Sequence, residues 1–159
     1  MIRAPQKRIS ERALKVWGIS GLITIVIGWL FIAGIFFFVH FFHLPIWIDA
    51  IAVGIGLLLS YFLVFLFPKL KWRRWRYEVH EVEIELQHGL FILTRTLVPM
   101  VRVQHVDTIQ GPILRKYGLA SVVVHTAATA HQIPALEENE AEELRVYISN
   151  LAKAADEDV

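Results

Sequence analysis

His105, Asp107 and His125, with His131 close behind, are side chains of the types that ligate zinc or iron and, through the metal, activate water for hydrolysis. In an extended strand, residues two apart share a face, so His105 and Asp107 would lie side by side. Against a metal stands the lack of any tight HxH or HExxH spacing. Such side chains also satisfy backbone groups at strand ends and turns, and structural hydrogen bonding is the favoured role. No metal is assigned. The chain has no cysteine, which removes thiol nucleophiles, thiolate metal sites and disulfides. It also lacks a G-x-S-x-G elbow, a Walker loop, a dinucleotide glycine fingerprint and a paired acid in a catalytic context. The expectation is a protein that is not an enzyme and takes no cofactor, with a metal-dependent hydrolase as the disfavoured alternative.

A second cluster, Trp72, Arg73, Arg74, Trp75 and Arg76, followed by Tyr77, interleaves cations with aromatic rings. Indoles favour the membrane interface and cations meet anionic headgroups, so this collar can recognise lipid or simply fix topology, and the topology anchor is the favoured role. Similar mixtures bind nucleic acid, but here the collar adjoins a membrane segment and the C-terminal end is acidic, which argues against it.

The elements that must position these clusters follow from the hydropathy. Of 159 residues, 55% are hydrophobic, and the excess lies between Val16 and Ile48 and between Ala50 and Phe67, with Asp49 the lone formal charge between them. Ile19 to Phe42 would measure about 36 Å as a helix and Ala50 to Phe67 about 27 Å, each suited to a hydrocarbon core of about 30 Å. His43 to Asp49, with Pro45 and Trp47, forms the turn; the second span extends back through Trp47 and is expected to stop at Pro68. The run is too long for a secretory signal. The net charge of +1 hides a segregation. Arg3, Lys7, Arg8, Arg12 and Lys15 precede the first span, Lys69, Lys71, Arg73, Arg74 and Arg76 follow the second, and the turn has none. That asymmetry predicts a multi-pass protein of the cytoplasmic membrane with both termini in the cytoplasm. Ala52, Gly56 and Ser60 recur every four residues, a stripe suited to close helix packing, within the hairpin in the favoured case or between molecules. The expected division is a basic segment over 1–16, a two-helix hairpin over 17–68 and a cytoplasmic domain over 69–159.

Beyond the hairpin, Val82 to Gln87 alternates in the manner of a half-buried strand. Phe91 to Pro99, Val101 to Gln110 and Ser121 to Thr126 read as further strands, and a short one at His131 to Pro134 can pair with the last. One helical turn is expected at Leu114 to Gly118. Leu136, Leu144, Tyr147, Ile148, Leu151 and Ala155 mark an amphipathic C-terminal helix with acids near its start. Strands followed by one helix suggest a small antiparallel barrel or bent sheet closed by that helix.

The run from Val98 to Pro112 (VPMVRVQHVDTIQGP), with Arg115, Gly118-Leu119-Ala120 and His125-Thr126-Ala127, resembles the bacterial pleckstrin-homology-like membrane proteins of the YdbS type. The resemblance covers most of the chain and implies a membrane α+β fold: a two-helix transmembrane hairpin, then a pleckstrin-homology-like bent antiparallel β-barrel with a C-terminal helix. It implies no enzymatic activity. It also implies a hetero-complex with a larger membrane protein carrying several similar domains, and a part in protecting the cell envelope from membrane-active peptides. Within the motif, Arg102, Gln104, Gln110 and Arg115, beside His105 and Asp107, either brace the bend at Gly111-Pro112 or form a docking surface, bracing being favoured. The function expected is a non-catalytic, membrane-anchored docking or scaffold module, with anionic-lipid sensing at the inner leaflet as the alternative.

Overall fold

The computed structural model describes residues 5–157, so Arg3 among the N-terminal cations lies outside the described residues. Contacts divide the chain into two units: residues 14–70, and residues 1–13 together with 71–159.

The first unit is a helical hairpin. Helix α1 (Ala13–Phe41) is followed by α2 (Trp47–Tyr61), a π-helical turn (Phe62–Leu66) and α3 (Phe67–Arg74). The first helix and the run from Trp47 to Arg74 have 29 and 28 residues, and only 6% of the most apolar 18-residue stretch of each is buried. A core helix of a soluble protein hides such side chains; these present Phe31, Leu30 and Leu58 outward, as lipid-facing helices do. The turn closes with the Leu44 N–H donating to the Val39 carbonyl at 2.9 Å. Near it the Asp49 carboxylate is buried, makes no hydrogen bond among the described residues, and lies 3.7 Å from His40 Nδ1.

The small residues of the second helix face the first within this chain. A Cβ on Gly56 would come within 2.4 Å of Ile32 Cδ1. The Trp29 indole donates to Ser60 Oγ at 3.2 Å, and Ser60 in turn donates to the Gly56 carbonyl at 2.7 Å. The stripe is used for close approach inside the hairpin.

Pro68 does not end the second helix, contrary to the sequence expectation. Proline removes one N–H and crowds the carbonyl four residues back. The π-helical turn just before it widens the spiral, with the Phe67 N–H bonding to the Phe62 carbonyl, five residues earlier. The helix runs on to Arg74.

The second unit is built on two antiparallel sheets. One has the order β1 (Lys7–Arg8), β2 (Arg76–Val79), β3 (Glu83–His88), β4 (Thr94–Pro99); the other has the order β5 (Val103–Ile109), β6 (Leu119–Thr126), β7 (Ala130–Glu137). A short helix α4 (Pro112–Lys116) joins β5 to β6 and ends at Gly118, whose φ of 64° suits glycine. Helix α5 (Glu138–Glu157) follows β7. It buries Ala141, Leu144 and Ile148, spaced three and four apart, against a core of Tyr77, Ile84, Leu86, Met100, Val122, Val124 and Ile133. Tyr77 donates to Glu140 Oε1 at 2.9 Å, and burial first, then this bond, pushes its phenol up from the ordinary value.

Several boundaries differ from the sequence expectation. The strand expected from Phe91 begins only at Thr94, because Gly89, with φ 129°, turns the chain and residues 89–93 form the hairpin loop. The strand expected from Val101 begins at Val103, after a 3-10 turn at Met100–Arg102. Leu136 belongs to β7 rather than the last helix. The N-terminal segment is part of the domain: Lys7 and Arg8 pair with Tyr77 and Arg76, while Ser10 Oγ and Arg12 Nη1 donate to Glu137 at 2.8 and 3.0 Å.

Candidate functional site

A half-buried strand hides every second side chain. β5 hides none: Val103 and Val106 are half-buried, and Gln104, His105, Asp107, Thr108 and Ile109 are exposed. It is one of the two edge strands of its sheet, β7 being the other, and among the described residues no strand pairs with its outer side. A bulge between Val103 and His105 leaves Gln104 without a direct partner on β6, which re-aims its side chain. Beside the start of β5 a cleft of about 800 Å³ opens against the β6–β7 turn (126–128) and the C-terminal half of α5, where Lys153 and Asp156 bring charges of both signs.

The motif residues divide between bracing and display. Gln110 Nε2 donates to the Leu119 carbonyl at 3.0 Å and so braces the turn into β6. Arg102, Gln104 and Arg115 are exposed. His105 stands opposite His125 in register, and their rings stack at 4.3 Å with 11° between planes. Asp107 Oδ2 lies 3.7 Å from His105 Nε2 and 3.4 Å from His125 Nε2. Arg145 of α5 is held above the ordinary guanidinium value, chiefly by its hydrogen bond to Glu142, with Asp107 adding the smallest attraction.

His105, Asp107 and His125 are thus brought together closely enough to share an ion. Near-parallel rings, however, aim their nitrogen lone pairs alongside one another, and a tetrahedral site needs them convergent. His131 is not part of the group: it pairs with Val124, one position off in the alternation, and its Nε2 is 2.9 Å from Thr129 Oγ1. A second group, Glu78, His80 and Glu85, has Glu85 already ion-paired with Arg95.

The aromatic and basic collar is split by the fold. Trp72 Nε1 donates to the Ile9 carbonyl at 3.2 Å and carries the Arg8 guanidinium 5.6 Å above its ring. Trp75 is buried and stacks on His88 at 5.8 Å, so it is a core residue of the domain and not an interfacial indole. Arg76 lies half-buried in β2, with Nη1 3.5 Å from the Pro5 carbonyl. Arg73 and Arg74 are exposed.

The family model described as "Bacterial PH domain" matches residues 13–152, from the first residue of α1 into α5. The chain belongs to the bacterial PH domain family. Within this family it is 48% identical to the "UPF0699 transmembrane protein YdbS" of Bacillus subtilis (strain 168), over all of both chains. Neither description names an enzymatic activity. No solved structure matches the chain significantly. As a bacterial PH domain protein it is a transmembrane protein whose PH-like domain follows two apolar helices.

Sequence reasoning missed the pairing of β1 with β2, the His105–His125 stack and the burial of Trp75. A two-residue strand carries no periodic signal, and the other two features depend on which strands become neighbours. The openness of β5 left only a faint trace: Gln104, Asp107 and Thr108 interrupt its apolar alternation.

Proposed function

We propose that this bacterial PH domain protein is a non-catalytic docking module of a membrane complex. The hairpin anchors it, both termini lie in the cytoplasm, and the free edge of β5 receives an extended segment of a larger, related membrane protein. The observation that carries this reading is β5 itself, an edge strand whose side chains are exposed or at most half-buried, beside a cleft of about 800 Å³. Unpaired N–H and C=O groups along such an edge template another strand, and alternate side chains set its register. Gln104, His105 and Asp107 of β5 supply side chains for this contact, with Arg102 in the turn just before the strand. The orientation rests on cations at both ends of the hairpin and none in its turn. The family resemblance extends the proposal to a role for that complex in protecting the envelope against membrane-active peptides.

Gentle detergent purification from the native host tests the reading. A membrane partner is expected in fixed stoichiometry, lost with the variant Gln104→Arg/Thr108→Arg while the domain still melts as wild type. Recovery of the chain alone, or a partner retained by that variant, contradicts it.

Anionic-lipid recognition at the inner leaflet is the second reading, and it is supported by the exposed pair Arg73 and Arg74. It predicts that Arg73→Gln/Arg74→Gln abolishes any preference of the reconstituted protein for anionic vesicles at low salt.

A further inference from the structure

The hairpin loop between β3 and β4 reads Gly89-Leu90-Phe91-Ile92-Leu93. Phe91 and Ile92 are each 81% exposed, more than any other large hydrophobic residue among those described, including Phe31 of the membrane hairpin at 77%. Leu93, in the same loop, is exposed as well. The display is imposed by the backbone. Gly89 has φ 129°, and a Cβ there would stand 1.9 Å from the Ile92 carbonyl oxygen, so the loop is a tight turn that thrusts its tip away from the core.

Where the loop lies in the domain indicates what covers it. The chain leaves the second apolar helix at Arg74, and β2 starts two residues later, with Arg76 paired to Gln87 of β3. β2 leads away from that exit point and β3, antiparallel, leads back to it. The loop at the end of β3 therefore sits at the same end of the domain as the exit, and the stack of Trp75 on His88 ties the two together. At the opposite end, the β2–β3 turn is His80-Glu81-Val82, with two polar residues of three. The apolar tip is thus at the end of the domain where the chain enters it, just after the exposed Arg73 and Arg74.

We infer that the β3–β4 loop is a membrane-inserting finger: Phe91 and Ile92 enter the headgroup and upper acyl region of the leaflet from which the second span emerges, fixing the domain against the bilayer. The occupant of this surface is lipid. An aromatic and a β-branched side chain over cations suit that interface, where apolar groups sink some 5–10 Å below the headgroups.

The absence of cysteine makes the test direct. Full-length Phe91→Cys and Ile92→Cys, labelled with an environment-sensitive fluorophore, are reconstituted into phosphatidylethanolamine–phosphatidylglycerol vesicles, with Val82→Cys, 73% exposed in the opposite turn, as control. Labels at 91 and 92 are expected to be quenched by chain-brominated lipid and to be severalfold less accessible to iodide than the label at 82. Equal iodide access at all three positions overturns the inference. Protection from iodide without quenching by brominated lipid also overturns it, because it marks a protein or an internal contact as the occupant. Since the side chains at 91 and 92 project from the core, wild-type melting of the variants is expected, and Phe91→Ser/Ile92→Ser with a label at Leu93 gives a second reading: loss of brominated-lipid quenching supports insertion, and its persistence contradicts the assigned role of the two side chains.

Discussion

The two units of this chain obey opposite rules of burial. In the hairpin the large apolar residues point outward and little of the helices is buried; in the domain Tyr77, Ile84, Leu86, Met100 and Ile133 point inward and are almost wholly hidden. The same residue types serve two solvents. Lipid accepts an exposed leucine without penalty, whereas water drives it inside by about 1.5–3 kcal/mol for full burial. An outward apolar residue is therefore ordinary in the hairpin and an exception in the domain, where Phe91, Ile92, Val101 and Ile109, together with Val82 in the β2–β3 turn, break the rule.

The contrast breaks most readily at leucine. Leu86→Ala, in the domain core, is expected to lower the stability of the domain by about 2–5 kcal/mol in chemical denaturation followed by tryptophan fluorescence. Leu30→Ala, 69% exposed in α1, should leave that curve and the helical content in micelles unchanged. An equal loss from both would mean that the outer face of the hairpin is buried in a protein assembly. Glycines give a smaller version of the same comparison. Gly89→Ala, forced to keep a positive φ and to clash with the Ile92 carbonyl, should cost about 1–3 kcal/mol from backbone strain at least. Gly34→Ala, with nothing within 4 Å of its added Cβ, should melt as wild type.

The smallest effect concerns Tyr77 and Glu140. Tyr77→Phe is expected to cost about 0.5–1.5 kcal/mol at neutral pH, the net worth of one hydrogen bond. Because the folded phenol keeps its proton above the ordinary value of 10.0, the unfolded chain ionises first as pH rises. The contribution of Tyr77 is then complete below about pH 10 and declines above it. Melts across that range should show an alkaline decline in wild type that is reduced in Tyr77→Phe.

Much of this was legible in the residues. Unbroken apolar runs announced the hairpin, alternation at Val82 to Gln87 announced β3, and the spacing of Leu144, Ile148 and Leu151 announced α5. These signals are local. Some of what escaped depends on contacts distant in sequence: Trp75 reads as an interfacial indole until β3 brings His88 to it. The turn at Gly89 was legible, but the β-rich composition of the run from Phe91 hid that the loop extends to Leu93. Pro68 failed as a stop signal because the π-helical turn before it absorbs the missing bond. Of the candidate site, the residue types at 102–107 were visible, but the open edge that displays them follows from sheet order.

The proposed docking along β5 is tested most directly by site-specific photocrosslinking in native membranes. A photoreactive residue at Thr108 or Gln104 should give one discrete adduct with a larger membrane protein, whereas the same residue at the exposed Glu143 of α5 should give none. Adducts absent from both β5 positions, or the same pattern from Glu143, would contradict the account.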